Sequence, residues 1–232
     1  MARILMVLSG VDHWTLTDGS KHPSGYWAEE FVVPHRIFGQ AGFTVDIAAP
    51  TGGKPAADPV SLRPEVAGPE ADEFAAYIDA AAEVLADPLA LSDVDTARYD
   101  AIFLPGGHGP MEDLAHDPDL GRILVEADAA GTIIAPVCHG PAALLSANLP
   151  GGHWLFAGRA LTVFTDEEER LNGTADRAPW LVETVLAARG AVVRSANAWE
   201  AHVVVDGNLY SGQNPASSKP LAERLVAALT GH

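Results

Sequence analysis

Cysteine occurs once in this chain of 232 residues, at position 138. A lone cysteine forms no internal disulfide and offers no cluster for zinc. Basic residues are also scarce: 14 Lys and Arg stand against 31 Asp and Glu, a net charge of -17. A field of that sign repels phosphate backbones and anionic headgroups, which argues against nucleic-acid and membrane-surface binding. No apolar run approaches the roughly 18 residues that cross a bilayer. Met1 leads straight into a strand-like pattern rather than a basic and apolar leader, so the expected location is the reducing cytoplasm. The chain has no Gly-x-Ser-x-Gly and no Gly-x-Gly-x-x-Gly, and no His-x-x-x-His pair falls on a predicted helix. Serine-hydrolase, dinucleotide and metal sites are therefore not expected.

What is present is an alternation of apolar runs with longer amphipathic segments, the order of strands and helices around a mostly parallel sheet. "RILMVLS" (3–9), "FTVDIAA" (43–49), "DAIFLPGG" (100–107), "TIIAPV" (132–137), "ALTVF" (160–164) and "AVVRS" (191–195) read as buried strands. "GYWAEEFVVPHRIFGQAG", "EADEFAAYIDAAAEVLA", "LGRILVEADAAG", "PAALLSA", "APWLVETVLAARG" and "NPASSKPLAERLVAAL" read as helices. Gly42, Gly131 and Gly190 stand where helix C-caps belong, and "HVVVDGNLYSG" predicts a hairpin turning at Asp-Gly. The proline-rich segment 51–70 is an irregular excursion or lid. At 48% hydrophobic, the length suits one sizeable core, so one domain over 1–232 is expected. Ligands in such sheets bind beyond the carboxyl ends of the strands.

Cys138 lies between the strand "TIIAPV" and the helix "PAALLSA", where the chain must reverse. In outline that is a nucleophile elbow with cysteine in place of serine. Gly140 relieves crowding beneath the turn, and Pro141 suits the first helical position. A thiol at a helix N-terminus is expected to ionise readily. Side chains of neighbours on a turn diverge, so His139 is expected to reach the thiol through substrate rather than directly. "PGGHGPMEDL" (105–114) ends another strand with paired glycines whose N–H groups can approach an oxyanion. Gly107 and His139 are the candidate backbone donors, and His108 and Trp27 are candidate substrate contacts. Of Glu29 and Glu30, about 100° apart on one helix, only one should face inward, leaving the other solvated.

Together these pieces resemble the ThiJ/PfpI superfamily, and within it the small glutathione-independent glyoxalase III branch, whose members are also described as chaperones and deglycases. The motifs are "GYWAEEFVVP" with Glu30 four residues before Pro34, "AAPTGGKPAADPVS", "FLPGGHGPMEDL", "VCHGPAALL", "TVFTDEEE" and "LYSGQNPASS". The resemblance implies a flavodoxin-like three-layer sandwich that forms a homodimer and needs no cofactor. It assigns Cys138 as nucleophile, His139 as the adjacent catalytic histidine and Glu30 as a protonated glutamate touching the sulfur. For the acid that orients the histidine, "FTDEEE" offers Glu169 first and Asp166 second, at least two of the four acids serving only as a solvated helix start. The implied reaction converts a small reactive aldehyde, methylglyoxal, to lactate through a cysteine hemithioacetal and an enediol. Competing readings are a stress holdase chaperone, a redox sensor built on the same cysteine, and an isonitrile hydratase-like enzyme. Amidotransfer is disfavoured because the histidine follows the cysteine directly.

Overall fold

The computed structural model describes residues 1–231, so that of the 1–232 span only His232 lies outside the described residues. The strands are β1 (Arg3–Val7), β2 (His13–Thr15), β3 (Lys21–Pro23), β4 (Thr44–Ala49), β5 (Leu89–Ala90) and β6 (Ala101–Leu104), followed by β7 (Ile133–Pro136), β8 (Ala160–Leu161), β9 (Val192–Val193), β10 (Val203–Asp206) and β11 (Leu209–Gly212). The helices are α1 (Ala28–Gln40), α2 (Pro64–Ala67), α3 (Ala71–Ala80), α4 (Ala82–Ala86) and α5 (Gly109–Glu112), then α6 (Pro118–Ala130), α7 (Asp166–Asn172), α8 (Val182–Ala188) and α9 (Ser218–Thr230).

Seven strands form the central sheet in the order β10-β11-β7-β6-β1-β4-β5. All neighbours are parallel except the β10–β11 hairpin at one edge, which pairs Asp206 with Leu209 and turns at Gly207 and Asn208. Strand β6, β7 after Ile133 and β1 after Arg3 are apolar and buried on both faces, as crossover helices on either side of a parallel sheet require. This is the α/β arrangement around a mostly parallel sheet that the alternating pattern predicts, and the flavodoxin-like form of it that the family resemblance implies. The core includes Phe38, Phe103 and Ile134, and reaches Leu225 of α9. Gly131 caps α6 in the left-handed conformation, with φ 73°.

Two predicted strands differ from expectation. Segments 160–164 and 191–195 shrink to β8 and β9, which pair with each other in parallel, outside the central sheet. The hairpin explains this: β11 occupies the ladder beside β7, leaving no edge there for β8 to join. Val192 is consequently exposed rather than buried. "PAALLSA" also departs from an α-helix and winds as a buried 3-10 turn over Gly140–Ser146. The 51–70 segment folds into short turns, where Ser61 Oγ accepts the Ala28 N–H at 3.0 Å and so caps the start of α1.

Candidate active site

The carboxyl ends of β6 and β7 and the start of α1 meet at Cys138. The cysteine adopts φ 60°, a left-handed conformation that side chains with a Cβ rarely take and that costs of order 1–3 kcal/mol. Surrounding bonds hold it there: its N–H donates to Gly212 O at 3.0 Å, and its carbonyl accepts the Phe164 N–H at 2.9 Å. Beneath the elbow, a Cβ on Gly140 would lie 2.1 Å from Leu104 O, so the turn tolerates no side chain at that position. The curl also turns consecutive side chains together. Cys138 Sγ and His139 Nδ1 are 3.3 Å apart, in contrast to the divergence expected of neighbours on a turn.

His139 Nε2 is 2.6 Å from Glu169 Oε2, and the other oxygen, Oε1, is 2.9 Å from His108 Nε2. Thr174 Oγ1 also donates to Oε1. Burial pushes the Glu169 carboxyl up, but the electrostatic pull and the hydrogen-bonded N–H groups of the two imidazoles outweigh it and hold the group well below the usual carboxylate range. An ionised carboxylate only accepts, so both Nε2 atoms carry hydrogens and His139 Nδ1 is left as a lone-pair acceptor facing the sulfur. Burial, assisted by His108, lowers the His139 pKa and keeps the ring neutral. His108 is thereby a second imidazole on the same carboxylate; it stacks on Trp14 at 4.4 Å and lines the cavity at Cys138. The ligand atoms of His108, His139 and Glu169 lie within 4.8 Å of one another, and a cation could enter only by displacing their two hydrogen bonds.

Glu30 comes from the first turn of α1 and is fully buried. Its Oε2 accepts the Gly106 N–H at 2.6 Å, while Oε1 has no hydrogen-bond partner. Burial raises its pKa well above the usual carboxylate value against the pull of Cys138 and the Gly106 N–H, which favours its protonated form. The thiol is also raised, first by burial and then by Glu30, although the Gly107 and His139 N–H groups draw it down. This corrects the expectation of a readily ionised cysteine: the elbow is buried, and desolvation exceeds what a single 3-10 turn of N–H groups returns. Gly107, at φ 82°, packs so closely that a Cβ would lie 2.3 Å from Gly25 O.

Other predicted residues fall elsewhere. Asp166 Oδ2 accepts from Thr184 Oγ1 at 2.5 Å and stands 3.9 Å from Arg170, away from His139. Position 166 is the first residue of α7 whereas 169 is one turn in, and only the latter faces the elbow. Glu29 is not simply solvated: it lines an outer cavity, and burial, then Glu70, raises its pKa. Sequence reasoning missed Glu168, a fully buried carboxylate that accepts from Thr165 N, Asn214 Nδ2 and Trp199 N, the last two at 2.7 and 2.8 Å. The Thr-x-x-Glu spacing of "TDEE" is a capping-box signal that could have found it.

Trp27, Gly107, His108, Cys138, His139 and Phe164 line an inner cavity of about 30 Å³, walled also by Asn172, Trp199 and Pro215. An outer cavity of about 380 Å³ shares Trp27, Asn172, Trp199 and Pro215 with it. The site is thus a small chamber over the sulfur behind a wider mouth.

Residues 24–228 match the model of the DJ-1/PfpI family. The chain belongs to the DJ-1/PfpI family. Among similar family members is the glutathione-independent glyoxalase HSP31 of Saccharomyces cerevisiae, 31% identical over 98% of both chains. The crystal structure of glyoxalase III from Candida albicans superposes with a TM-score of 0.83 at 28% identity, covering 98% of this chain and 97% of that one. The protein/nucleic acid deglycase HchA of Staphylococcus aureus is 27% identical over 97% of this chain and 78% of its own length.

Proposed function

We propose that this chain is a glutathione-independent glyoxalase III that converts methylglyoxal to lactate without a cofactor, a lyase-type reaction. The observation that carries the reading is the neutral His139 Nδ1 facing Cys138 Sγ at 3.3 Å, with Glu169 holding the opposite ring nitrogen. The full-length likeness to the yeast glyoxalases supports the choice of substrate.

Cys138 Sγ adds to the aldehyde carbon as His139 Nδ1 takes the thiol proton and passes it to the new alkoxide oxygen, giving a hemithioacetal whose oxygen lies near the Gly107 and His139 N–H groups and leaving His139 neutral again. His139 then removes the proton on that carbon while Glu30 protonates the neighbouring carbonyl oxygen, forming the enediol. His139 gives its proton to the second carbon while the hydroxyl on the first carbon returns a proton to Glu30, leaving a lactoyl thioester on Cys138 and both groups as they began. Water hydrolyses it to lactate and regenerates the thiol, so the sum is methylglyoxal plus water to lactate. A neutral nucleophile beside a neutral acid avoids two negative charges in one buried space, which explains why both pKa values are raised. Deglycation of aldehyde adducts would use the same atoms, and the HchA likeness supports it as an accompanying activity.

The working form in this reading is one domain over 1–232, paired as a homodimer in the cytoplasm and without affinity for nucleic acid, in keeping with the charge of -17. The test is lactate formation from methylglyoxal without glutathione. Wild type should form it and Cys138→Ala should not. Reactive thiol with no lactate would move the search to isonitriles or to redox-regulated chaperoning.

A further inference from the structure

Trp199 is one of two non-glycine residues with positive φ among those described, the other being Cys138 itself. Its N–H donates to Glu168 Oε1 at 2.8 Å, and the buried Glu168 carboxylate is held in turn by Asn214 and Thr165. The indole therefore projects from a backbone that is pinned in an unusual conformation. It rests on Phe164 with centroids 5.6 Å apart, and Phe164 lies on His139 at 4.5 Å. The same indole lines both cavities. Trp27, the other large ring of that partition, is tied to the machinery, since its N–H donates to Gly106 O and it immediately precedes the helix bearing Glu30. The backbone bond of Trp199 to Glu168 does not need the indole, and with 48% of the residue's surface exposed its truncation would leave the core intact.

We infer that the Trp199 indole is the size filter of this site, closing the chamber over Cys138 so that 2-oxoaldehydes with a methyl substituent enter and those with an aryl substituent do not. The chamber of about 30 Å³ has room for only one or two groups the size of water or methyl, so the reacting aldehyde group fills it and the rest of the dicarbonyl lies at the Trp199 partition, where a methyl substituent ends. A larger substituent on the reacting dicarbonyl must extend through the partition into the outer cavity of about 380 Å³. The inference about dicarbonyl substrates rests on the glyoxalase reading; the filter on access to the sulfur does not.

The chain holds a single cysteine, so intact mass reports its alkylation without ambiguity. Alkylation of Cys138 by iodoacetamide and by N-phenylmaleimide, and turnover of methylglyoxal and phenylglyoxal, would be compared in wild type, Trp199→Ala and Trp199→Phe. The expected result is that both bulky-to-small rate ratios rise about tenfold in Trp199→Ala and by less in Trp199→Phe. Ratios unchanged in a variant that melts as wild type does would overturn the filter. Should Trp199→Ala not fold, the ratio in Trp199→Phe decides in the same way. A raised alkylation ratio in a protein whose wild type makes no lactate would sink the glyoxalase reading and leave the filter standing.

Discussion

Four ionisable side chains within a few ångströms are kept in unlike states by what surrounds each. Glu169 is an anion because two imidazoles donate to it; Glu30 is neutral because it is buried with one N–H for company. The signs set a pH profile. His139 must be neutral, so kcat/KM should rise with pH through a pKa below the ordinary imidazole value, the direction in which burial moves it. Glu30 must be protonated, so activity should fall again as pH passes its raised pKa. Measured pH profiles should show this alkaline fall in wild type and none in the residual activity of Glu30→Gln. Glu169→Gln replaces one acceptor by a donor facing an imidazole N–H, and steady-state kinetics should show kcat lowered by about 10²- to 10⁴-fold. At this scale the text of the chain was partly legible. Cys138 and His139 announce themselves by adjacency at a strand end. The raised pKa of the thiol did not, since it depends on which groups fold over the sulfur from residues 30 and 107. Glu168 was hidden within an acidic run, where its burial comes from partners about 30 and 46 residues away.

The elbow is the element on which the geometry depends. The strand and reversal of β7 are readable from apolar residues followed by Gly and Pro, but the 3-10 winding of 140–146 was not. That turn is completely buried at its start, and Trp154 Nε1 donates to Leu144 O at 2.7 Å, so tertiary packing overrides the helical propensity of its alanines and leucines. Gly140→Ala would force a Cβ against Leu104 O. Overpacking of this kind should lower stability by about 1–3 kcal/mol, read as a shift in the denaturant midpoint, and should slow Cys138 alkylation as the elbow moves. An unshifted midpoint would show that the turn has more slack than the distances give it.

For the molecule as a whole, the alternation of apolar and amphipathic segments carried the architecture, and the Asp-Gly turn carried the hairpin. The exile of β8 and β9 from the central sheet was not legible, because strand order depends on which segment reaches the edge of β7 first in space, not in sequence. The charge balance has its own consequence. A net charge of -17 repels itself across a compact fold, and salt screens this within about 10 Å at 0.1 M. The melting temperature should therefore climb as sodium chloride increases from about 10 to 300 mM, and a flat or falling curve would mean that local ion pairs outweigh the global repulsion. The central claim, that Cys138 forms the bond and Glu30 moves the proton, is tested most directly by lactate formed from methylglyoxal without glutathione in Glu30→Gln, with Cys138 alkylation followed in the same samples. The account predicts a thiol that still alkylates and lactate formation lowered by about 10²-fold or more. Lactate at the wild-type rate would contradict it.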